Sequence, residues 1–157
     1  MADVLADGMT RISWVSAISN TSAPTTSELN AGVALESFVT ADGLDSGVTT
    51  NKVDTSALNS VQNTGLVGRR DDTYKLTMKQ QGKANPPWST FAANPNGYLV
   101  RRSDVASTTA WASTQKVTVF PCQAGFRDES APAANAVAKF SVEFVISGIV
   151  VDTAAVA

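Results

Sequence analysis

Two stretches of this chain alternate apolar and polar residues with a strict period of two. Residues 73–80 set Tyr74, Leu76 and Met78 against Thr73, Lys75, Thr77 and Lys79. Residues 136–146 set Ala136, Ala138, Phe140, Val142, Phe144 and Ile146 against Lys139, Ser141 and Glu143. Successive side chains of a strand point to opposite faces, so each stretch predicts a strand with one buried and one polar face. That pattern belongs to antiparallel sheets, which leave one side wet, and not to helices or parallel sheets. Phe140 and Phe144 are core anchors on this reading.

Strands account for much of the remaining chain. Residues 11–18, 33–40, 98–102 and 116–123 carry apolar and β-branched side chains between turn signals. Trp14 falls on the apolar side of the first and is a third core anchor. Two short helices interrupt the strands. Thr25 and Glu28 have capping-box spacing, Leu29 supplies the buried contact, and Gly32 is placed to end the helix in the left-handed conformation. Asn85 and Pro86 open the second, with Trp88, Phe91 and Ala92 on one side. Ala41-Asp42-Gly43 and Asp45-Ser46-Gly47 read as turns. Residues 43–72 are rich in Thr, Ser, Asn and Gly and thin in apolar residues, which predicts a long loop region with one strand inside. Residues 1–10 are small and acidic and predict a flexible N-terminal arm. The whole, residues 1–157, reads as a single mainly-β domain: a β-sandwich or partly closed barrel with one or two short helices.

Chemistry is excluded more firmly than it is suggested. The 157 residues include no histidine and one cysteine, Cys122. Serine and cysteine nucleophile systems built on a histidine base are therefore out, as is an intrachain disulfide. Asp71 and Asp72 are neighbours, so in a strand they face opposite ways and form no acid pair. The acidic run from Asp42 to Gly47 lacks the spacing and terminal Glu of a calcium loop. No catalytic, cofactor or metal residues are assigned, and an enzyme is not expected. No export signal is expected from the start M-A-D-V-L-A-D-G, and the longest apolar run, near residues 144–151, is far short of a membrane span.

Charge points to partners of another kind. Charged residues make up 17% of the chain, against about 25% in ordinary domains. Interface cores are depleted in charge, so a surface this bland suits a chain covered by copies of itself. The net charge of −2 argues against a nucleic-acid-binding face. Residues 1–68 hold two basic and seven acidic groups, residues 69–157 ten and seven. A subunit polarised that way favours head-to-tail contacts if the halves occupy opposite ends. The doublets Arg69-Arg70 and Arg101-Arg102 are the inter-subunit candidates. In a strand, one arginine of each doublet turns inward and calls for a carboxylate.

Four segments, in order, resemble the major tail tube protein of long-tailed, non-contractile bacteriophages, in the form found in phages of actinobacteria. They are Trp14-Val15 through Asn20 with Ala23-Pro24-Thr25 and Glu28-Leu29-Asn30-Ala31-Gly32; Gly97-Tyr98-Leu99-Val100-Arg101-Arg102; Trp111-Ala112 through Val119-Phe120-Pro121 to Arg127; and Pro132-Ala133 through Asn135, Lys139-Phe140 and Val142. Residues 43–72 match poorly. Ala136 departs from the pattern where an acidic residue is expected, and Cys122 where a plain apolar one is.

The resemblance implies a virion structural protein. Its copies form hexameric rings, stacked head to tail into a tube, with one sheet of each subunit joining a continuous barrel around a lumen. DNA passes through that lumen without specific binding. Tail terminator, tape-measure and tail-tip proteins are the further partners; no membrane or cofactor is involved, and assembly takes place in the host cytoplasm. A lumen that passes DNA should not carry fixed cations, so Glu143 and Ser141, on the polar side of residues 136–146, are the lumen-facing candidates, with Lys139 paired or turned away. The competing reading is a head-decoration or receptor- or carbohydrate-binding β-sandwich of a virion. Trp14 and Trp88 read as core, which leaves Trp111 as its exposed sugar platform.

Overall fold

The computed structural model describes residues 5–157, and residues 1–4 of the expected arm lie outside it. Ten elements follow in chain order: β1 (Arg11–Val15), α1 (Thr26–Ala31), β2 (Val33–Ala34), β3 (Val39–Asp54), β4 (Gly65–Lys79), α2 (Pro86–Thr90), β5 (Asn96–Arg102), β6 (Lys116–Glu129), β7 (Lys139–Ile146) and β8 (Val151–Ala155). All strand pairs are antiparallel, in the order β2-β1-β5-β6-β7-β4-β3, with β8 also on β6. The mainly-β class with two short helices is as the sequence reads.

The sheet curls on itself but does not close. Trp14 of β1 reaches Phe144 of β7, three strands away in the order, at a ring separation of 5.8 Å. Trp14 also meets Phe91 edge-on at 5.3 Å, and Tyr74 lies 4.8 Å from Phe120. These rings, with Leu76, Met78, Leu99, Phe140 and Val142, fill the inside of the curl. The link 35–38 spans the two edges: Leu35 N donates to Ile12 O at 2.8 Å and Lys79 N to Phe38 O at 2.7 Å. Beside it a seam stays open as a cleft of about 590 Å³, lined by Ile12, Glu36, Val39, Leu44 and Thr108.

A second core covers the outside of β1, β5 and β6. Val15, Ile18, Leu29, Val100, Trp111, Val117, Val119, Ala154 and Val156 pack there. The predicted capping box holds α1 in place. Thr25 Oγ1 accepts from Glu28 N at 3.2 Å, and Thr25 N donates to Glu28 Oε2 at 2.8 Å. Ser19 also donates to the same carboxylate through its amide and hydroxyl. Gly32 ends the helix in extended backbone (φ −73°, ψ 166°) and not in the left-handed region. Its lack of a side chain serves close approach, since a Cβ there would stand 2.7 Å from Trp14 O.

Three sequence expectations are corrected. The polar segment 43–72 is not a loop: β3 and β4 run through it in register from Leu44–Leu76 to Asp54–Gly65, leaving only residues 55–64 as the connection. The turns expected at 41–47 are absorbed into β3, whose pairing shifts between Val39 and Leu44. Gly43 sits in that irregularity, where any Cβ would run into Thr77 O. Finally, β7 starts at Lys139, and Ala136 and Ala138 are exposed ahead of it. Residues 130–138 form the irregular link between β6 and β7, with Asn135 in the left-handed region (φ 58°) and Ser130 N donating to Lys139 O at 3.0 Å.

Candidate functional site

Strands β3 and β4 outrun the sheet that holds them. β4 pairs with β7 from Lys79 back to Tyr74, opposite Phe144. Beyond that rung, residues 47–54 and 65–73 pair only with each other among the described residues, forming a two-stranded ribbon. Apart from Gly68 and Asp72, its residues are exposed on both faces. Val48, Val53, Leu66 and Val67 are 52–83% exposed, and Leu58 and Val61 in the connecting loop are fully so. A two-stranded hairpin alone is marginally stable in water. Bare backbone edges and apolar side chains on a projecting arm mark a surface that another chain covers.

The base of the ribbon is polar. Arg70 lies two residues before Asp72, on the same side of β4, and its Nε donates to both Asp72 oxygens at 3.0 and 2.8 Å. The far side of the guanidinium donates to Asp152 of β8, Nη1 to Oδ2 at 2.6 Å and Nη2 to Oδ1 at 3.1 Å. These bonds hold the Asp152 carboxyl below its ordinary range, chiefly through Arg70 and with a smaller contribution from the Arg101 charge. Arg101 Nη1 donates to Ser46 Oγ at 3.3 Å, on the rung Ser46–Tyr74 from which the ribbon starts.

The other inter-subunit candidates have different surroundings. Arg102 turns inward, as one of a doublet must, but no carboxylate among the described residues meets it. It is fully buried, and its Nη groups donate to the carbonyl oxygens of Ala106, Thr109 and Ala110 and to Gln115 Oε1 at 2.8–3.3 Å. Burial is the main cause of its lowered pKa, and the nearby Arg11 charge adds to it. The loop 103–115 is thus wrapped around Arg102, which leaves nothing of that side chain for a neighbour. Arg69 is exposed on the ribbon. Arg11 and Arg102 both lie 4.9 Å from the Trp111 ring, which is 5% exposed. The expected aromatic platform is therefore buried.

The lumen-facing candidates separate. Glu143 is exposed on β7, in register with Lys75, which in turn faces Asp45 across β4. Ser141 is buried, at 8% exposure, on a rung between Thr77 and Asp128 of the flanking strands. Lys139 is half-buried opposite Lys79; the Asp42 pKa is lowered chiefly by the Thr40 hydroxyl and its own backbone amide, with a smaller contribution from the Lys139 charge. The core anchors Trp14, Leu29, Phe140 and Phe144 are buried, and Trp88 is half-buried, edge-on to Phe140 at 5.0 Å with Arg127 over its ring. Residues 5–10 form a turn laid on the 103–115 loop, where Gly8 O accepts from Ser107 N at 2.8 Å.

Sequence reasoning missed Asp152. A lone Asp between Val151 and Thr153 carries no signal by itself; only folding brings it to Arg70. Cys122 is a core residue whose thiol is pushed up to about 12 by burial. Among the described residues no group of three or more acidic or sulfur side chains is placed to hold a metal, and no helix is long and apolar enough to cross a membrane.

A family model described as "Phage tail tube protein" matches residues 1–157. No curated protein matches the chain. Among solved structures it is similar to a chain in the "Cryo-EM structure of the anti-feeding prophage (AFP) baseplate, 6-fold symmetrised". The likeness covers 94% of this chain and 95% of that one, with a TM-score of 0.56 and 11% identity, and is one of fold.

Proposed function

From the premise that this chain belongs to the phage tail tube protein family, we propose that its copies close into hexameric rings that stack head to tail around a DNA-conducting lumen. Its role is that of a structural component of the virion tail. The observation that carries the finer reading is the ribbon 47–54/65–73, a sheet extension that, apart from Gly68 and Asp72, is exposed among the described residues. A projecting arm that meets a different surface on the next copy makes a heterologous contact, which closes as a ring or propagates as a filament. The six-fold symmetry of the assembly containing the similar chain supports six as the ring number.

The same fold suits the remaining expectations. Glu143 belongs on the lumen side, where fixed cations would hold phosphates; Lys75, between Glu143 and Asp45 in the register, is then flanked by a carboxylate on each side. Arg69, exposed on the ribbon, is the arginine left to meet a neighbour. Terminator, tape-measure and tail-tip proteins meet the two ends of the tube, which is built in the host cytoplasm. The carbohydrate-binding alternative loses its platform with Trp111 buried.

Negative-stain electron microscopy over a concentration series, with and without tail tips as nuclei, tests the proposal. Hollow tubes with an axial repeat and six-fold end views are expected. A chain that remains monomeric at every concentration, nuclei included, overturns it.

A further inference from the structure

We propose that Arg70, Asp72 and Asp152 form a clamp that sets the angle at which the ribbon leaves the body, holding it ready for the next copy. The idea rests on the ribbon's role in assembly and concerns how one chain prepares for it. The strand register shows why a clamp is needed. β7 and β8 both run antiparallel to β6, on the side of β6 opposite β5: β7 along Cys122 to Glu129, β8 along Lys116 to Val119. They are two lengths of one strand line, interrupted at residues 147–150. β4 borders that line only as far as the Tyr74–Phe144 rung. The ribbon therefore departs near the end of β7, just before its neighbouring line is interrupted, and no backbone pairing to the body steers it among the described residues.

Arg70 takes the place of the missing ladder. One edge of its guanidinium is held by Asp72 on its own strand, the other by Asp152 at the start of β8. A planar fork engaged on both edges fixes direction as well as distance, which a lysine would not. The Asp72 side chain is 8% exposed, so the inner half of the clamp is sheltered, while Arg70 (39%) and Asp152 (55%) remain at the surface. Ion pairs that open to water add little to global stability. What the clamp supplies is orientation, and orientation governs how much of the population can bind.

Spin labels at Asn59→Cys, in the ribbon loop, and Ser27→Cys, on α1, report the ribbon angle by pulsed dipolar spectroscopy; the native Cys122 is buried. The parent chain should give one narrow distance distribution. Asp152→Asn and Arg70→Lys should each broaden it, with melting temperatures close to the parent's. If the competent angle falls to about a tenth of the population, the concentration needed for tube growth rises about tenfold. An unchanged distribution in Asp152→Asn overturns the clamp, and a broadened one with unchanged tube growth overturns its part in assembly. A parent chain that never polymerises counts against the assembly reading alone, because the distance measurement still decides on the clamp.

Discussion

The centre of the sheet and its projecting ribbon are both antiparallel β-structure, yet they are stabilised in opposite ways. Strands β1, β5 and β6 are covered on both faces. Ile12, Trp14 and Leu99 face the inner core, while Val15, Val100 and Val119 face the outer one. Each such side chain removed from water contributes about 1.5–3 kcal/mol. The ribbon has the same backbone ladder and no such burial, so in the isolated chain it depends on hydrogen bonds, the Arg70 contacts and its attachment at Tyr74. One region is finished within the chain; the other is shaped for a surface the chain does not itself provide.

Paired substitutions break this comparison most sharply. Phe144 is 2% exposed at the meeting point of Trp14, Tyr74 and Phe91. Phe144→Ala should destabilise the monomer by about 3–5 kcal/mol in urea unfolding, as large aromatic deletions do. Val67→Ala on the ribbon, at 83% exposure, should leave that midpoint within about 0.5 kcal/mol while impairing tube growth under the microscope. Equal effects of the two on unfolding would erase the distinction.

A smaller effect separates the regions through glycine. A Cβ on Gly97 of β5 would stand 2.6 Å from the Trp14 ring and 2.8 Å from Val15 O, whereas one on Gly47, where the ribbon begins, meets Thr73 Oγ1 at 3.2 Å. Gly97→Ala should therefore cost about 1–3 kcal/mol by overpacking. Gly47→Ala should be close to neutral, because a hydroxyl at the surface can turn aside. Thermal denaturation of the two variants gives the comparison.

The smallest effect is in acid. Hydrogen bonds from Ser19 and Thr25 lower the Glu28 pKa from 4.5 to about 2. A carboxyl whose folded pKa is depressed contributes stability above its unfolded pKa and loses it as pH falls toward the folded value. The α1 contribution should thus fade between pH 4.5 and 2, and Glu28→Gln should flatten that part of the stability profile. A parent and variant with the same acid slope would remove Glu28 from the account. The ribbon has its counterpart in Asp152, whose lowered pKa makes the clamp acid-sensitive in the same direction.

What was legible in the sequence follows the same division. Periodicity located the half-buried parts of β4 and β7, because a strand with one face on a core must alternate. It was silent on the ribbon, because a strand wet on both faces has no reason to alternate, and its Thr, Asn and Gly content then reads as loop. The capping box of α1 was plain, since all its groups lie within four residues. Its end at Gly32 was legible too, but not the extended backbone there, because Gly32 answers to the carbonyl of Trp14, which is remote in sequence. Strand geometry required one arginine of 101–102 to turn inward; which one, and that its partners are loop carbonyls and not a carboxylate, depend on how residues 103–115 wrap. The same wrapping buries Trp111.

The sequence by itself therefore determined the β class, the inward faces of the alternating strands, the first helix start and the absence of histidine-based chemistry. Those are local properties: two-residue periodicity, four-residue spacing and residue inventory. Tertiary structure alone decided that the sheet curls without closing, that β3 and β4 overshoot it as a bare ribbon, and that Arg70 meets Asp152 across 82 residues of chain. Such outcomes depend on which strands become neighbours and where each pairing stops. They are set by the competition among long-range contacts for the same edges, and no single segment carries that information.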